Sequence, residues 1–499
     1  MLFVNGILIS LAIVVISYFL WYCCHKVFFI KRLNNLPGPR TLPFIGNFHI
    51  LLGREEFVNL LLKMSEDYSS PLQFWLGSKL FIGIYEPDDA KTILHSRNCI
   101  EKSMIYKIVP LLGMGLITAP ASLWTRIRKL AAPTFNSYML RNFFDVFIEQ
   151  SIIFTHKLEK DGYLNGKEII LLEQISNCAW KIACDSMMGI QLEPNKNNDY
   201  LKAVQRSKNI LLCRVRNILL FSDVIFNLTA LGHKQKEDTN LVHSLTDEMI
   251  QQHTYKLNNL NTTKENNQTH KKLFDILMDA PCEENFTRED IRDNVITLLL
   301  AASDTISITM NFIVYILANF PKIQEKVHEE LLKIYGTETI KSAPIKYDDL
   351  QHMHYLDRVI KETMRIFPPV PLIGREVTED LKLGGVTLPK GTNIVIGIIK
   401  IHRNKKYWPN PLMFDPDRFL PEKTKSQSYC YMPFSDGPRN CIGIKYGMMC
   451  MKVILATLVR TFVFKVNKSV EIDEIKLKFS TLLSTEKPLK VEIEKRNFQ

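Results

Sequence analysis

A chain of 499 residues is long enough for several domains, yet no internal repeat or low-complexity break divides it after the first 40, so one large body is expected. The net charge of +11 comes from dispersed basic residues with no DNA- or RNA-binding motif, which argues against a nucleic-acid reader and fits a membrane surface or an acidic protein partner. Ten cysteines without a C-x-x-C pair argue against a zinc site or a disulfide framework and suit a reducing compartment.

Residues 1–24 carry no charged side chain, and as a helix they reach about 36 Å, enough to cross a bilayer. Positive charge gathers only afterwards, at Lys26, Lys31 and Arg32, so the body is expected on the cytosolic side, with Trp21 and Tyr22 at the interface. A cleaved signal fits less well, because the apolar run is long, its N-terminal flank lacks lysine and arginine, and no small-x-small site follows. Residues 25–40 form a basic, proline-rich hinge ending in Leu36-Pro37-Gly38-Pro39-Arg40, a stiff extended connector. The body is expected over 41–499.

Within it, Phe74-Trp75-Leu76 and Leu80-Phe81-Ile82-Gly83-Ile84 read as strands of a small sheet. Met104 to Ile117 is largely apolar and contains Gly113 and Gly115, which suits either a loop walling a greasy pocket or a surface loop with one buried edge. Trp124 and Arg128 stand four apart, so a helix carries both on one face; taken alone, such a pair is more often surface packing. Amphipathic segments follow from Phe135 to Phe226, and Asn258 to Lys272 reads as an exposed polar loop. Asn227, Asn261, Asn267, Asn285 and Asn467 begin N-x-S/T sequons, which a cytosolic body leaves unmodified.

Asn294 to Phe320 reads as a long apolar helix containing Ala301-Ala302-Ser303-Asp304-Thr305. A hydroxyl beside a carboxylate can pass protons inward. The same residues also suit a threonine bonded to its own backbone beside a salt-bridged aspartate. Glu362 and Arg365 place opposite charges three apart on a helix. Arg375 closes Pro371-Leu372-Ile373-Gly374-Arg375, and its plain reading is a surface arginine. Val386 to Lys400 reads as strands with a turn at Pro389-Lys390-Gly391, and His402 as a hydrogen-bonded structural residue rather than a metal ligand.

The chain is organised around Phe434-Ser435-Asp436-Gly437-Pro438-Arg439-Asn440-Cys441-Ile442-Gly443. We read Cys441 as the thiolate ligand of a haem iron, whose donated electron density favours dioxygen cleavage. Phe434 can cover the sulfur, Arg439 is spaced to reach a haem propionate, and Gly443 can lie against the flat macrocycle. The run after Cys441 reads as a helix whose positive end favours a thiolate. A lone cysteine is more often an inert buried thiol. Here the stretch matches F-x-x-G-x-R-x-C-x-G at all five fixed positions, and so resembles the haem-ligand signature of the cytochromes P-450.

The resemblance runs from Trp124 to Gly443, and the anchor and hinge extend it upstream. It implies a mainly α fold with small β-sheets, a helical prism enclosing haem b between the Asp304 helix and the Cys441 loop, with an N-terminal transmembrane helix. It makes Trp124, Arg128, Arg375 and Arg439 propionate contacts, with Phe434 and Gly443 against the macrocycle and Asp304 and Thr305 catalytic. Pro416-Asp417-Arg418-Phe419 resembles the family's P-E-R-F segment, which implies that Arg418 joins Glu362 and Arg365 in a structural cluster. The implied activity is a monooxygenase of the endoplasmic reticulum membrane acting on a small apolar substrate, a fatty acid, hydrocarbon, terpenoid or xenobiotic. Its electrons come from NADPH through a flavoprotein reductase docking on the cysteine side, with cytochrome b5 as an optional second donor.

Asp290-Ile291-Arg292-Asp293 and His402-Arg403 look like family four, which includes fatty-acid omega-hydroxylases and many insect enzymes. Two departures matter. Ala301 stands where many members carry a glutamate that can join haem covalently, so no ester can form; Ala302 replaces the usual glycine and Ile306 a second threonine. A peroxide isomerase or dehydratase of the same fold is the alternative enzyme, disfavoured by the Asp304-Thr305 pair. A haem protein that sequesters lipid or senses gas without turnover is the non-enzymatic alternative.

Overall fold

The computed structural model describes residues 36–51, 57–262, 273–279, 286–339, 342–424 and 429–496, with isolated positions between 6 and 33. The expected anchor over 1–24, the hinge before Leu36 and most of the polar run 258–272 therefore lie outside the described residues. From Leu36 the hinge is tied to the body: Gln73 N–H donates to Pro37 O at 2.8 Å and Gln73 Nε2 to Leu36 O at 2.7 Å.

The body is mainly helical. Its helices include α1 (Ala121–Ala131), α2 (Ser137–Lys160), α3 (Leu172–Met187), α4 (Pro194–Arg216), α5 (Ala230–Thr262), α6 (Arg288–Asn319), α7 (His354–Ile366) and α8 (Ile444–Thr461). The 32-residue α6 is the axis. From Val295 onward its sequence is mostly apolar, and a helix of that kind must be surrounded by protein or lipid. Here it is protein: α6 packs on α3, α5, α7 and α8. Among the described residues α6 is the one helix long and apolar enough to cross a membrane, but 67% of its apolar stretch is buried within the body. It starts six residues before the expected Asn294 because Thr287 and Asp290 form a capping box, each side chain accepting the other's backbone N–H at 3.1 and 3.0 Å.

The main sheet sits to one side. The two expected strands, β1 (Leu72–Leu76) and β2 (Lys79–Ile84), pair as an antiparallel hairpin, followed in sequence by β3 (Leu372–Glu376), β4 (Leu381–Leu383), β5 (Val386–Leu388) and β6 (Asn393–Gly397). The sheet order is β1-β2-β6-β3, with β2 and β6 parallel and the other pairs antiparallel. Arg375 faces Ile394 in the β3–β6 register. The strand expected to run to Lys400 stops at Gly397, and Ile398–His402 turn helical. Gly397 pairs with Leu372, the first residue of β3; before it stands Pro371, which has no N–H to extend the ladder, and its carbonyl instead accepts Ile399 N–H. The helices share one large apolar core, and the sheet has a second.

Candidate functional site

The cysteine loop is built by two left-handed residues, Ser435 (φ +62°) and Gly437 (φ +72°), which fold it back so that Cys441 N–H donates to Phe434 O at 2.9 Å. A Cβ on Gly437 would stand 2.1 Å from Leu94 O, so only glycine fits. Three residues after Cys441, α8 begins. Burial pushes the Cys441 thiol up, while the Gly443 amide and the Arg128 guanidinium pull it back towards thiolate. A coordinating metal removes the proton outright. Arg128 also fixes the loop, donating to Asn440 O and to Asn440 Oδ1, both at 2.8 Å.

Two features fit a flat, dianionic macrocycle here. First, Cys441 is exposed, so open space lies before its sulfur, and the glycines beside it extend that space. A methyl on Gly443 would come no nearer to protein than Cys441 Sγ at 3.9 Å and Phe135 Cε1 at 4.0 Å, and one on Gly447 would meet nothing within 4 Å. Second, three cations converge without a carboxylate bonded to any of them among the described residues. Arg375, 2% exposed, bonds only to Gly374 O, at 2.9 Å. Arg439 donates to the carbonyls of Ile100 and Ala119 at 2.8 and 2.5 Å and leaves its buried Nε unpaired. Lys102 joins them, its ammonium 4.6 Å from the Tyr106 ring centroid. Burial and then Arg375 and Arg439 push Lys102 well below the usual lysine range, and burial with Arg375 takes Arg439 down to about 10. Such a cluster is costly until an anion completes it. Two carboxylates on the rim of a flat ligand would do so.

The expected residues divide into three groups. Cys441, Phe434, Arg439, Gly443 and Arg128 lie in or on the loop, and the Trp124 ring faces the Arg439 guanidinium at 5.2 Å. Arg128 spends its donors on Asn440 rather than standing free for a carboxylate, and Arg375, whose plain reading was a surface residue, is buried. On α6, Thr305 Oγ1 donates to Ala301 O at 2.8 Å and Asp304 accepts from Lys208 Nζ of α4 at 2.6 Å, the geometry of the plainer reading of that pair. Away from the loop, Glu362 of α7 takes two bonds from Arg365, at 2.7 and 2.8 Å, and one from Asp415 N–H at 3.0 Å, with Arg418 Nε 3.4 Å away. His402 is structural: its Nε2 accepts Met432 N–H at 2.8 Å. Lys102 and Lys208 escaped the sequence reading, since a single lysine among mixed neighbours carries no periodic or motif signal.

Residues 36–493 match the family model described as Cytochrome P450. Curated relatives include cytochrome P450 4c21 of Blattella germanica, 32% identical over 94% of this chain and 94% of its own, and cytochrome P450 4V2 of Homo sapiens, 32% identical over 92% and 89%. Cytochrome P450 4d1 of Drosophila simulans is 32% identical over 87% of this chain and 88% of its own. With the family model spanning nearly the whole body and these relatives covering most of the chain, the chain belongs to the cytochrome P450 family of haem b monooxygenases.

Proposed function

We propose that this chain is a membrane-bound monooxygenase that hydroxylates a small apolar substrate, with Cys441 as the iron ligand and NADPH electrons delivered by a flavoprotein reductase. What supports the reading is the pairing of Cys441, beside a glycine cradle, with the buried Arg375 and Arg439, to which no carboxylate is bonded among the described residues. Bound there, haem supplies the reductive activation of dioxygen and insertion of one oxygen atom into a C–H bond.

The chain's own residues do the rest. Lys102, Arg375 and Arg439 neutralise the propionates and fix the plane of the group. Gly443 N–H and the start of α8 hold negative charge on sulfur. Thr305 passes a proton from its hydroxyl once it turns from Ala301 O, and Asp304 resupplies it when its pair with Lys208 loosens. Exposed Lys129 and Lys445, on α1 and α8 beside the loop, suit an acidic reductase face. Exposed Leu219, Val224 and Leu228, close to the N-terminal segment through the Phe221–Phe48 ring contact, suit the cytosolic face of the endoplasmic reticulum.

Cys441→Ser should abolish the carbon monoxide band of thiolate-ligated haem; a serine variant with the band untouched ends this reading. Reconstituted with reductase, Thr305→Ala should consume NADPH with most of the product lost as peroxide or water. Equal coupling in the two enzymes would remove Thr305 from the proton path, and turnover of a hydroperoxide without NADPH would favour the isomerase alternative.

A further inference from the structure

The cysteine loop crosses from one apolar core to the other. At its start Met432, 4% exposed, packs in the core of the sheet together with Ala90, Ile93 and Leu94, whereas Phe434 and Ile442 pack against the core of the helices. The crossing falls at residues 435–437, which include the left-handed Ser435 and Gly437. Ser435 adds no side-chain tie there, because its buried Oγ has no hydrogen-bond partner among the described residues.

What lies against the crossing is the C-terminal end of the short helix Pro87–His95, which follows β2. Leu94 O fills the place that a Cβ on Gly437 would take, and His95 Nε2 donates to Asp436 Oδ2 at 3.0 Å. Farther back, Lys91 Nζ stands 3.8 Å from the centroid of the Tyr429 ring, and Glu86, just ahead of the helix, accepts from Tyr407 Oη at 3.2 Å. Lys91 and His95 stand four apart and so share one face of the helix, while Ala90, Ile93 and Leu94 belong to the sheet core. The helix therefore lies as a splint along the chain that leads into the loop.

The two contacts at the crossing do different work. The Leu94 carbonyl sets how near the loop can come, but a steric contact does not choose where along the helix end the loop rests. The His95–Asp436 bond is directional and does choose. A displacement at Asp436 is passed on to the cysteine, since Cys441 N–H donates to Phe434 O at 2.9 Å and Asn440 N–H to Gly437 O at 3.2 Å, so both arms of the loop move together. The far arm has its own ties, Arg128 to Asn440 and Arg439 to Ile100 O; the near arm has the helix end.

We infer that His95 is a positioning residue for the cysteine loop: through Asp436 it fixes the register of the loop on the helix Pro87–His95 and so keeps the Cys441 sulfur in place as a ligand. The inference rests on the reading of Cys441 as the iron ligand. A loop free to slide lets the sulfur leave the metal and take a proton from solvent, which turns thiolate into thiol.

The experiment uses the haem-loaded full chain in vesicles with His95→Ala and His95→Gln. Two rates are read: conversion of the thiolate band of the carbon monoxide complex to the thiol-ligated band on mild heating, and amide exchange at residues 435–437. In His95→Ala both should rise about threefold, as the loss of a half-exposed pair allows, with the urea midpoint of the whole fold unchanged. His95→Gln, whose amide can donate to the same carboxylate, should restore both. Asp436→Ala removes the bond from the loop side and should reproduce the effect if the histidine variant fails to load haem. Unchanged conversion in a loaded His95→Ala enzyme overturns the inference. Faster conversion that glutamine does not restore, or that comes with an equal loss of global stability, overturns the bond as its cause. Absence of the thiolate band from the unsubstituted chain would instead fault the proposed function, while exchange at 435–437 would still decide whether His95 holds the loop.

Discussion

An ammonium buried beside two guanidinium groups is stable only if something negative arrives, and at Lys102 this has a measurable sign. Its folded value is depressed, chiefly by burial, below the unfolded value of about 10.4. Between the two, the unfolded chain binds a proton that the folded chain does not, so stability of the cofactor-stripped protein should rise with pH up to about 10.4. Urea unfolding across that range should show the rise in the original chain and a flat profile in Lys102→Met. The same substitution should speed haem loss to a haem-free acceptor protein by about tenfold, because one charge-assisted pair is gone. A slope that persists in the methionine variant would place the titrating group elsewhere. At this scale the sequence was informative unevenly. Cys441 announced itself through five spaced residues, each answering a need of a bound thiolate. Lys102 did not, because what marks it is the approach of Arg375 and Arg439 in space with no carboxylate bonded to it among the described residues. Thr305 left two readings open, and the bond to Ala301 shows why: a helix threonine always has its own backbone within reach.

Between elements, the Glu362 cluster joins α7 to the segment leading towards the cysteine loop. Glu362 and Arg365 are both fully buried and Arg418 is 8% exposed, so the carboxylate balances two guanidinium groups shielded from water. Arg365 is further tied to His402 O at 2.9 Å and Arg418 to Asn410 O at 2.9 Å, so removing the carboxylate cannot release either arginine to solvent. Glu362→Ala should therefore destabilise the fold by about 3 to 5 kcal/mol and lose haem. Denaturant titration and pigment content check this, and a variant that keeps its full haem complement would count against it. The i, i+3 pair was legible from spacing alone; the third member needed the family's segment, because contacts between residues 362 and 418 leave no local periodicity. Element ends behaved similarly. The start of α6 lay in a capping box placed before the apolar run, and the end of β6 was set by Pro371, just ahead of the neighbouring β3, rather than by the isoleucines at 398, 399 and 401, which favour strand locally.

For the whole molecule, the proposed membrane location puts the question of which face of the body would meet lipid. Val224 and Leu228 are 74% and 80% exposed, Leu219 and Ile225 stand out beside them, and Leu42 and Phe44 are exposed near the point where the chain enters the body. The edge contact of Phe221 with Phe48, 5.9 Å between centroids, draws the two groups onto one side. Side chains of this size cost too much in water to be left out without cause when they cluster. A net charge of +11 would add attraction to anionic lipid, but that part is screened once salt shortens the Debye length to about 3 Å near 1 M. The body lacking residues 1–24 should therefore still sediment with anionic vesicles, more weakly in high salt but not fully released. Val224→Asp with Leu228→Asp should free it in high salt, since burying each apolar side chain is worth about 1.5 to 3 kcal/mol and the two together account for at least a tenfold change in partition. A truncated body that floats free of vesicles even at low salt would leave any membrane contact to residues 1–24, and an aspartate variant that still sediments in high salt would move the contact to another face.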